Sequence, residues 1–289
     1  MRSGLLLVAG LGFAVGAHAQ AKPDFEFRRD LPQGKRFYVS NIIGDVVVLG
    51  ASGRTVEVTA VKKAGRHGDP EDVTIEIVEL DDGVAVCVRY PNQHGRRRGS
   101  DDREDKNPCN WNNWNGGSER NDTEVNMTLR VPAGLRLHAG TVSGDVRAER
   151  LAGDLEIHSV SGDVLLTGGS GPAIDLETVS GNVTLEDVTS KEVSGHTVSG
   201  EVVFRGPIMD AGTYDFATTS GDIQVLLPQQ PNATLSGATF SGRFSSDLPT
   251  SHDESRRRRH RVAATWGNGS ARLDLESLSG DITIRVIKG

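Results

Sequence analysis

Thr141-Val-Ser-Gly-Asp-Val146 recurs six times along the chain. It returns as Ser159-Val-Ser-Gly-Asp-Val164, Thr178-Val-Ser-Gly-Asn-Val183 and Thr197-Val-Ser-Gly-Glu-Val202. Thr218-Thr-Ser-Gly-Asp-Ile223, Thr239-Phe-Ser-Gly-Arg-Phe244 and Ser277-Leu-Ser-Gly-Asp-Ile282 follow. The signature serines are separated by 18, 19, 19, 21, 21 and 38 residues. A period near twenty over half a chain is the mark of a repeat architecture. The last interval is twice 19, which predicts one further coil whose signature has decayed.

Alternation tells what each unit is. In Val160-Ser-Gly162-Asp-Val164-Leu-Leu166 the even positions are apolar or glycine, and the odd ones are mostly polar. The same pattern places Val198, Val202 and Phe204 on one face, and Leu278, Ile282 and Ile284 on another coil's equivalent face. A second short strand precedes each signature: Leu155/Ile157, Ile174/Leu176, Tyr214/Phe216 and Leu273/Leu275. Two strands and two turns in twenty residues leave no room for a helical crossover. They fit one coil of a flattened, all-β parallel β-solenoid (β-helix-like), stacked about 4.8 Å above its neighbour. The recurrent glycines Gly144, Gly162, Gly181, Gly200, Gly221, Gly242 and Gly280 are then structural, giving close packing or a positive-φ bend at each corner.

Composition agrees. The 289 residues include 35 glycines but only 3 Trp, 3 Tyr and 8 Phe, so the core must be built from Val, Leu and Ile. A formal charge of −7 argues against a nucleic-acid partner. No run of 18 apolar residues exists, so no transmembrane segment is expected. Arg2, the apolar stretch Leu5 to Val15 and Ala17-His18-Ala19 read as a signal peptide, residues 1–19, cleaved after Ala19. That places the chain in the periplasm, secreted or at the cell surface.

Residues 20–35 read as an N-terminal linker and 36–289 as a single domain. Within it, 36–140 form an irregular opening part, where Ile43-Gly44-Asp45-Val46 echoes the signature, and 141–289 hold the regular repeats. Two charged, turn-rich loop insertions interrupt it, at 91–122 and 246–263. In an oxidising compartment the two cysteines, Cys87 and Cys109, are expected to form a disulfide. Cys87 shares its strand with Val84, Val86 and Val88 but lies on the opposite face.

Val131-Pro-Ala-Gly-Leu-Arg-Leu137, followed by the Ser-Gly-Asp signatures, resembles the bacterial putative-adhesin domain of unknown function. That family is similar to the auto-transporter-adhesin-like β-helix domains. The resemblance covers about residues 36–289 and implies an exported β-solenoid of the envelope with no catalytic residues to carry over. Arg243, at a position acidic in most repeats, and the two insertions depart from the pattern.

Several groups are candidates for binding. Asp145, Asp163, Asn182, Glu201, Asp222 and Asp281 would form a polar column that either attracts a divalent cation or caps turn amides. His158, Glu177 and His196, each three residues before a signature serine, would form a second column suited to Zn²⁺ or Cu²⁺, or simply a solvated His-Glu-His line. Trp111 and Trp114 in the first insertion could stack on a sugar or a partner protein, or fold back on the solenoid. The Arg256–Arg259 run could meet an anionic surface. No Cys/His spacing marks a zinc site, so no metal and no cofactor is expected. The function read from this set is a non-enzymatic envelope scaffold or adhesin, whose partner is an envelope protein or a polysaccharide. The alternative is a polysaccharide-active β-helix enzyme using His158, Asp163, Asn182 and His196.

Overall fold

The computed structural model describes residues 23–91, 108–109, 121–253 and 260–287. The segments holding the expected signal peptide, Trp111, Trp114 and Arg256–Arg259 lie outside these described residues.

Chain order begins with β1 (Phe25–Asp30), β2 (Arg36–Ser40), β3 (Val46–Ala51), β4 (Thr55–Lys63), β5 (Thr74–Leu80), β6 (Gly83–Arg89) and β7 (Glu124–Pro132). The regular coils follow: β8 (Leu135–Ser143) with β9 (Val146–Glu149), β10 (Gly153–Ser161) with β11 (Val164–Thr167), and β12 (Ser170–Ser180) with β13 (Val183–Glu186). Next come β14 (Thr189–Ser199) with β15 (Val202–Arg205), β16 (Thr213–Ser220) with β17 (Ile223–Leu227), and β18 (Ala233–Ser241) with β19 (Phe244–Ser246). The chain ends with β20 (Ser251–Asp253), β21 (His260–Trp266), β22 (Ala271–Ser279) and β23 (Ile282–Val286).

The long strand of each coil enters one sheet and the short strand the other. The short-strand sheet runs β1-β4-β7-β3-β9-β11-β13-β15-β17-β23-β19, and the long-strand sheet β20-β21-β18-β22-β16-β14-β12-β10-β8-β2-β6-β5. Neighbouring repeat strands are parallel and in register: Ser143, Ser161, Ser180, Ser199 and Ser220 pair in turn. The sheets face each other across one core, where Phe204 of one meets Tyr214 and Phe216 of the other at 5.6 and 5.1 Å. Leu155, Ile157, Ile174, Leu176, Leu273 and Leu275 are buried, as their alternation predicts.

The corner explains the stacking. The hydroxyl residue two before each signature serine is buried and donates to the glycine carbonyl of the preceding corner. Ser159 bonds Gly144 at 3.0 Å, Thr178 bonds Gly162 at 3.0 Å and Thr197 bonds Gly181 at 2.9 Å. Thr218, Ser277 and Thr239 repeat this on Gly200, Gly221 and Gly280. Each glycine also lies flat on the one before it: a Cβ on Gly162 would sit 2.0 Å from the Gly144 carbonyl oxygen. On the outside, Asp145 accepts the Asp163 amide, Asp163 that of Asn182, and Asn182 that of Glu201, at 2.8–2.9 Å. The polar column therefore caps backbone amides, and Arg243 can donate its own amide to Asp281 without needing an acidic side chain. Ile43-Gly44-Asp45 is the first rung: Gly44 accepts from Thr141, and Asp45 accepts the Asp145 amide.

Four expectations are corrected. Val160, Val179, Val198, Leu278 and Phe240 do not face the core; they are 44–50% exposed. The alternation resets at the corner, where Gly162, Gly181, Gly200 and Gly280 take φ of 150–158°, so the hydroxyl residue points inward and the following apolar residue outward. Second, the 38-residue interval holds no decayed coil among the described residues. β21 instead runs antiparallel to β18, and β20 pairs antiparallel with β21. Third, the last coil does not stack at the end. β22 lies between β16 and β18, and β23 between β17 and β19. Fourth, part of the expected linker is structured: β1 pairs antiparallel with β4, and Phe25 and Phe27 pack on the core.

Cys87 and Cys109 form a disulfide with Cα atoms 5.4 Å apart. It lies on the outer side of the long-strand sheet with Tyr38 and Ala85, away from the valine core. The bond spans 22 residues, so its reduction is expected to lower stability by about 3 kcal/mol. Urea unfolding with and without reductant measures this. Gly181→Ala, which places a Cβ 2.1 Å from the Gly162 carbonyl oxygen, should cost about 3 kcal/mol. Gly53→Ala, with no atom within 4 Å, should cost only about 1 kcal/mol. Equal urea midpoints for the two variants would contradict the corner geometry.

Candidate functional site

The outer surface of the long-strand sheet carries two polar columns, set by the parallel register. One holds Tyr38, His138, Glu156, Asp175, Ser194, Asp215 and Asp274. The other holds Gly140, His158, Glu177, His196, Ala217 and Glu276. His158, Glu177 and His196 are thus successive neighbours, but their side chains divide into two groups.

His158 turns toward β8. Its ring covers Gly140, where a Cβ would sit 2.2 Å from Nε2. It packs 4.6 Å from the His138 ring, which stacks in turn on Tyr38 at 4.1 Å. Burial pushes the His158 pKa down to about 4; the nearby His138 adds to the drop and Glu156 opposes it. His158 is therefore neutral at physiological pH and serves as packing. His138 pairs through Nδ1 with Glu156 at 3.1 Å. Beside this stack Asp82 is held below the usual carboxylate range by hydrogen bonds, first from Arg36 and then from Arg136.

Glu177 and His196 form the second group. His196 Nδ1 lies 3.7 Å from Glu177, and Nε2 lies 3.5 Å from Asp215. Asp175, two residues from Glu177 on the same face of β12, accepts a 2.6 Å hydrogen bond from the Ser194 hydroxyl. Ligand atoms of Asp175, Glu177 and His196 all lie within 4.8 Å of one another. This is a mixed nitrogen and oxygen donor set able to hold a divalent ion. Asp175 and Asp215 were missed by the sequence reading. Both stand five residues before a signature serine, Ser180 and Ser220, so the repeat offset that aligned His158, Glu177 and His196 could have found them.

His196 and Asp215 also line a groove of about 980 Å³. Arg261 and Ser251 from the antiparallel hairpin form one wall, and Arg272, Asp274 and Glu276 of the intercalated strand lie on its floor. Arg272 pairs with Asp274, which raises the Arg272 pKa, and feels Asp215 more weakly.

The depressed His158 pKa sets a pH dependence. The unfolded chain takes up a proton on His158 near pH 6.5, and the folded chain does so only near pH 4. Stability therefore falls as pH drops through this window and the His158 contribution levels off below it. Comparing His158→Asn with the unchanged protein in urea at pH 7.5 and 4.5 should show the variant losing about 2 kcal/mol less. Identical losses would contradict the burial of this imidazole.

A family model described as Toastrack DUF4097 matches residues 119–285. No curated relative matches the sequence. Two solved structures are similar to the chain at a low level. One is a putative cell adhesion protein from Clostridium sporogenes ATCC 15579, 11% identical, covering 92% of this chain and 100% of its own, with a TM-score of 0.39. The other is a putative adhesin from Bacteroides fragilis NCTC 9343, 9% identical, covering 90% of this chain and 96% of its own, with a TM-score of 0.40. With more than half of its residues matched by that model, the chain belongs to the Toastrack DUF4097 family.

Proposed function

We propose that this chain is an exported, non-enzymatic envelope protein that works as an adhesin-like interaction scaffold, with a protein as its partner. The observation that carries the reading is the apolar ridge along the signature corners. Val160, Val179, Val198, Leu278 and Phe240 stand at the same position of five coils and are each 44–50% exposed. Parallel register places coils about 4.8 Å apart, so these side chains approach a continuous ridge, interrupted at Thr219. Contiguous exposed apolar surface on an otherwise polar fold marks an interaction site. Four of the five are aliphatic, which suits apolar side chains of a protein better than the faces of sugars, which favour aromatic platforms.

Export rests on residues 1–19, and no helix among the described residues is long and apolar enough to cross a membrane. Two of the residues named for the polysaccharide-enzyme alternative have other partners. His158 is packed under His138, and Asp163 is occupied by the Asn182 amide.

Replacing Val160, Val179 and Val198 together by Ser should reduce binding of the purified protein to immobilised envelope proteins at least tenfold, with the circular dichroism spectrum unchanged. Each valine contributes about 1 kcal/mol when covered. Undiminished binding would count against the ridge. N-terminal sequencing of the exported protein should begin at Gln20. Release of reducing or unsaturated ends from anionic polysaccharides, abolished in His158→Asn or His196→Asn, would overturn the non-enzymatic reading.

A further inference from the structure

We infer that Asp175, Glu177 and His196 form a binding site for a divalent transition-metal ion, with Zn²⁺ as the fitting example. The argument begins with placement. Asp175 and Glu177 are alternate residues of β12 on its outer face, and His196 stands beside Glu177 on β14, so three ligand atoms converge without any loop having to move. One imidazole nitrogen and two carboxylate oxygens, with room for water, suit a borderline ion and not Ca²⁺ or Mg²⁺, which take all-oxygen shells.

The supporting shell is an independent observation. A metal-bound imidazole normally turns its second ring nitrogen to a carboxylate, which fixes the tautomer. Here Nδ1 faces Glu177 and Nε2 faces Asp215. That Nε2 atom is buried and has no hydrogen bond satisfying the usual geometry, so a modest ring rotation on ligation would give it one. Ser194 donates to Asp175 at 2.6 Å and leaves the second carboxylate oxygen free. Among the described residues no lysine or arginine forms an ion pair with Asp175 or Glu177. Two carboxylates side by side on one face without a fixed cation repel, and a divalent ion relieves that repulsion. His158, although next in the column, is excluded because its ring is held against Gly140 and His138.

His196 and Asp215 open onto the groove walled by Arg261. The ion would therefore be reachable by an anionic group lying in that groove. This inference is independent of the apolar ridge, which occupies the corner and not the sheet face.

The test is a calorimetric titration of the chelator-stripped full chain with ZnCl₂. One equivalent should bind with micromolar or tighter affinity. Glu177→Gln and Asp175→Asn should each weaken it at least tenfold, His196→Asn at least a hundredfold, and Asp215→Asn about tenfold. A histidine outside the site supplies the control: His138→Asn, which keeps every carboxylate, should leave the affinity within twofold. In the unchanged protein, one equivalent of Zn²⁺ should shift the His196 imidazole resonances and not those of His158, which settles the matter even where a variant folds poorly. Absence of stoichiometric binding, binding that survives His196→Asn, equal affinity for Mg²⁺, or loss of affinity in the His138→Asn control would each overturn the assignment.

Discussion

The fold depends on one contact repeated at every corner: a buried hydroxyl donating to the glycine carbonyl of the coil beneath it. A carbonyl at a corner lies where a strand ladder cannot satisfy it, and leaving it bare in the interior would cost about 1–3 kcal/mol. Thr141, Ser159, Thr178, Thr197, Thr218, Ser277 and Thr239 supply that donor on consecutive rungs. Only glycine lets the next corner approach closely enough to receive it, because any Cβ would strike the same carbonyl. Hydroxyl and glycine are thus one device, which fixes both spacing and register.

Two surfaces follow from that register. Turning the hydroxyl inward sends the next residue outward, so the apolar ridge is a geometric consequence of the corner. A one-residue slip would reverse every side chain on a strand, so the ladder also guards the outer face of the long-strand sheet. On that face two columns of polar residues come into line from strands distant in sequence. Asp175, Glu177, His196 and Asp215 meet because β12, β14 and β16 are held at equal height.

Much of this was legible in the residues. The period, the parallel stacking and the inward Leu155, Ile157, Tyr214 and Phe216 could be read from spacing and alternation, and the pairing of Cys87 with Cys109 from the expectation of an oxidising compartment. The place of Val160 and its equivalents was not. Hydropathy assigns a valine to the core and a threonine to solvent, and only the acceptor at the corner reverses that preference. The order of the last coils was also hidden. Near-identical signatures make equivalent rungs, so nothing local tells Leu278 to lie beside Thr219 instead of beyond Phe240. That choice is made by the antiparallel return of β21 along β18, a long-range pairing. The column of His158, Glu177 and His196 was aligned correctly by offset, while its division into a packed imidazole and an open acidic pair depends on Gly140, whose missing side chain draws His158 aside.

Cross-linking by engineered cysteine pairs tests the corner stack and its order most directly, since a disulfide needs Cα atoms within about 7 Å. Paired cysteines at Thr219 and Leu278, and at Leu278 and Phe240, occupy adjacent rungs and should close in the folded protein. A pair at Thr219 and Phe240 is separated by the intervening coil and should remain reduced. Closure of the Thr219–Phe240 pair, with the Thr219–Leu278 pair open, would mean that the coils stack in simple chain order and would contradict the account.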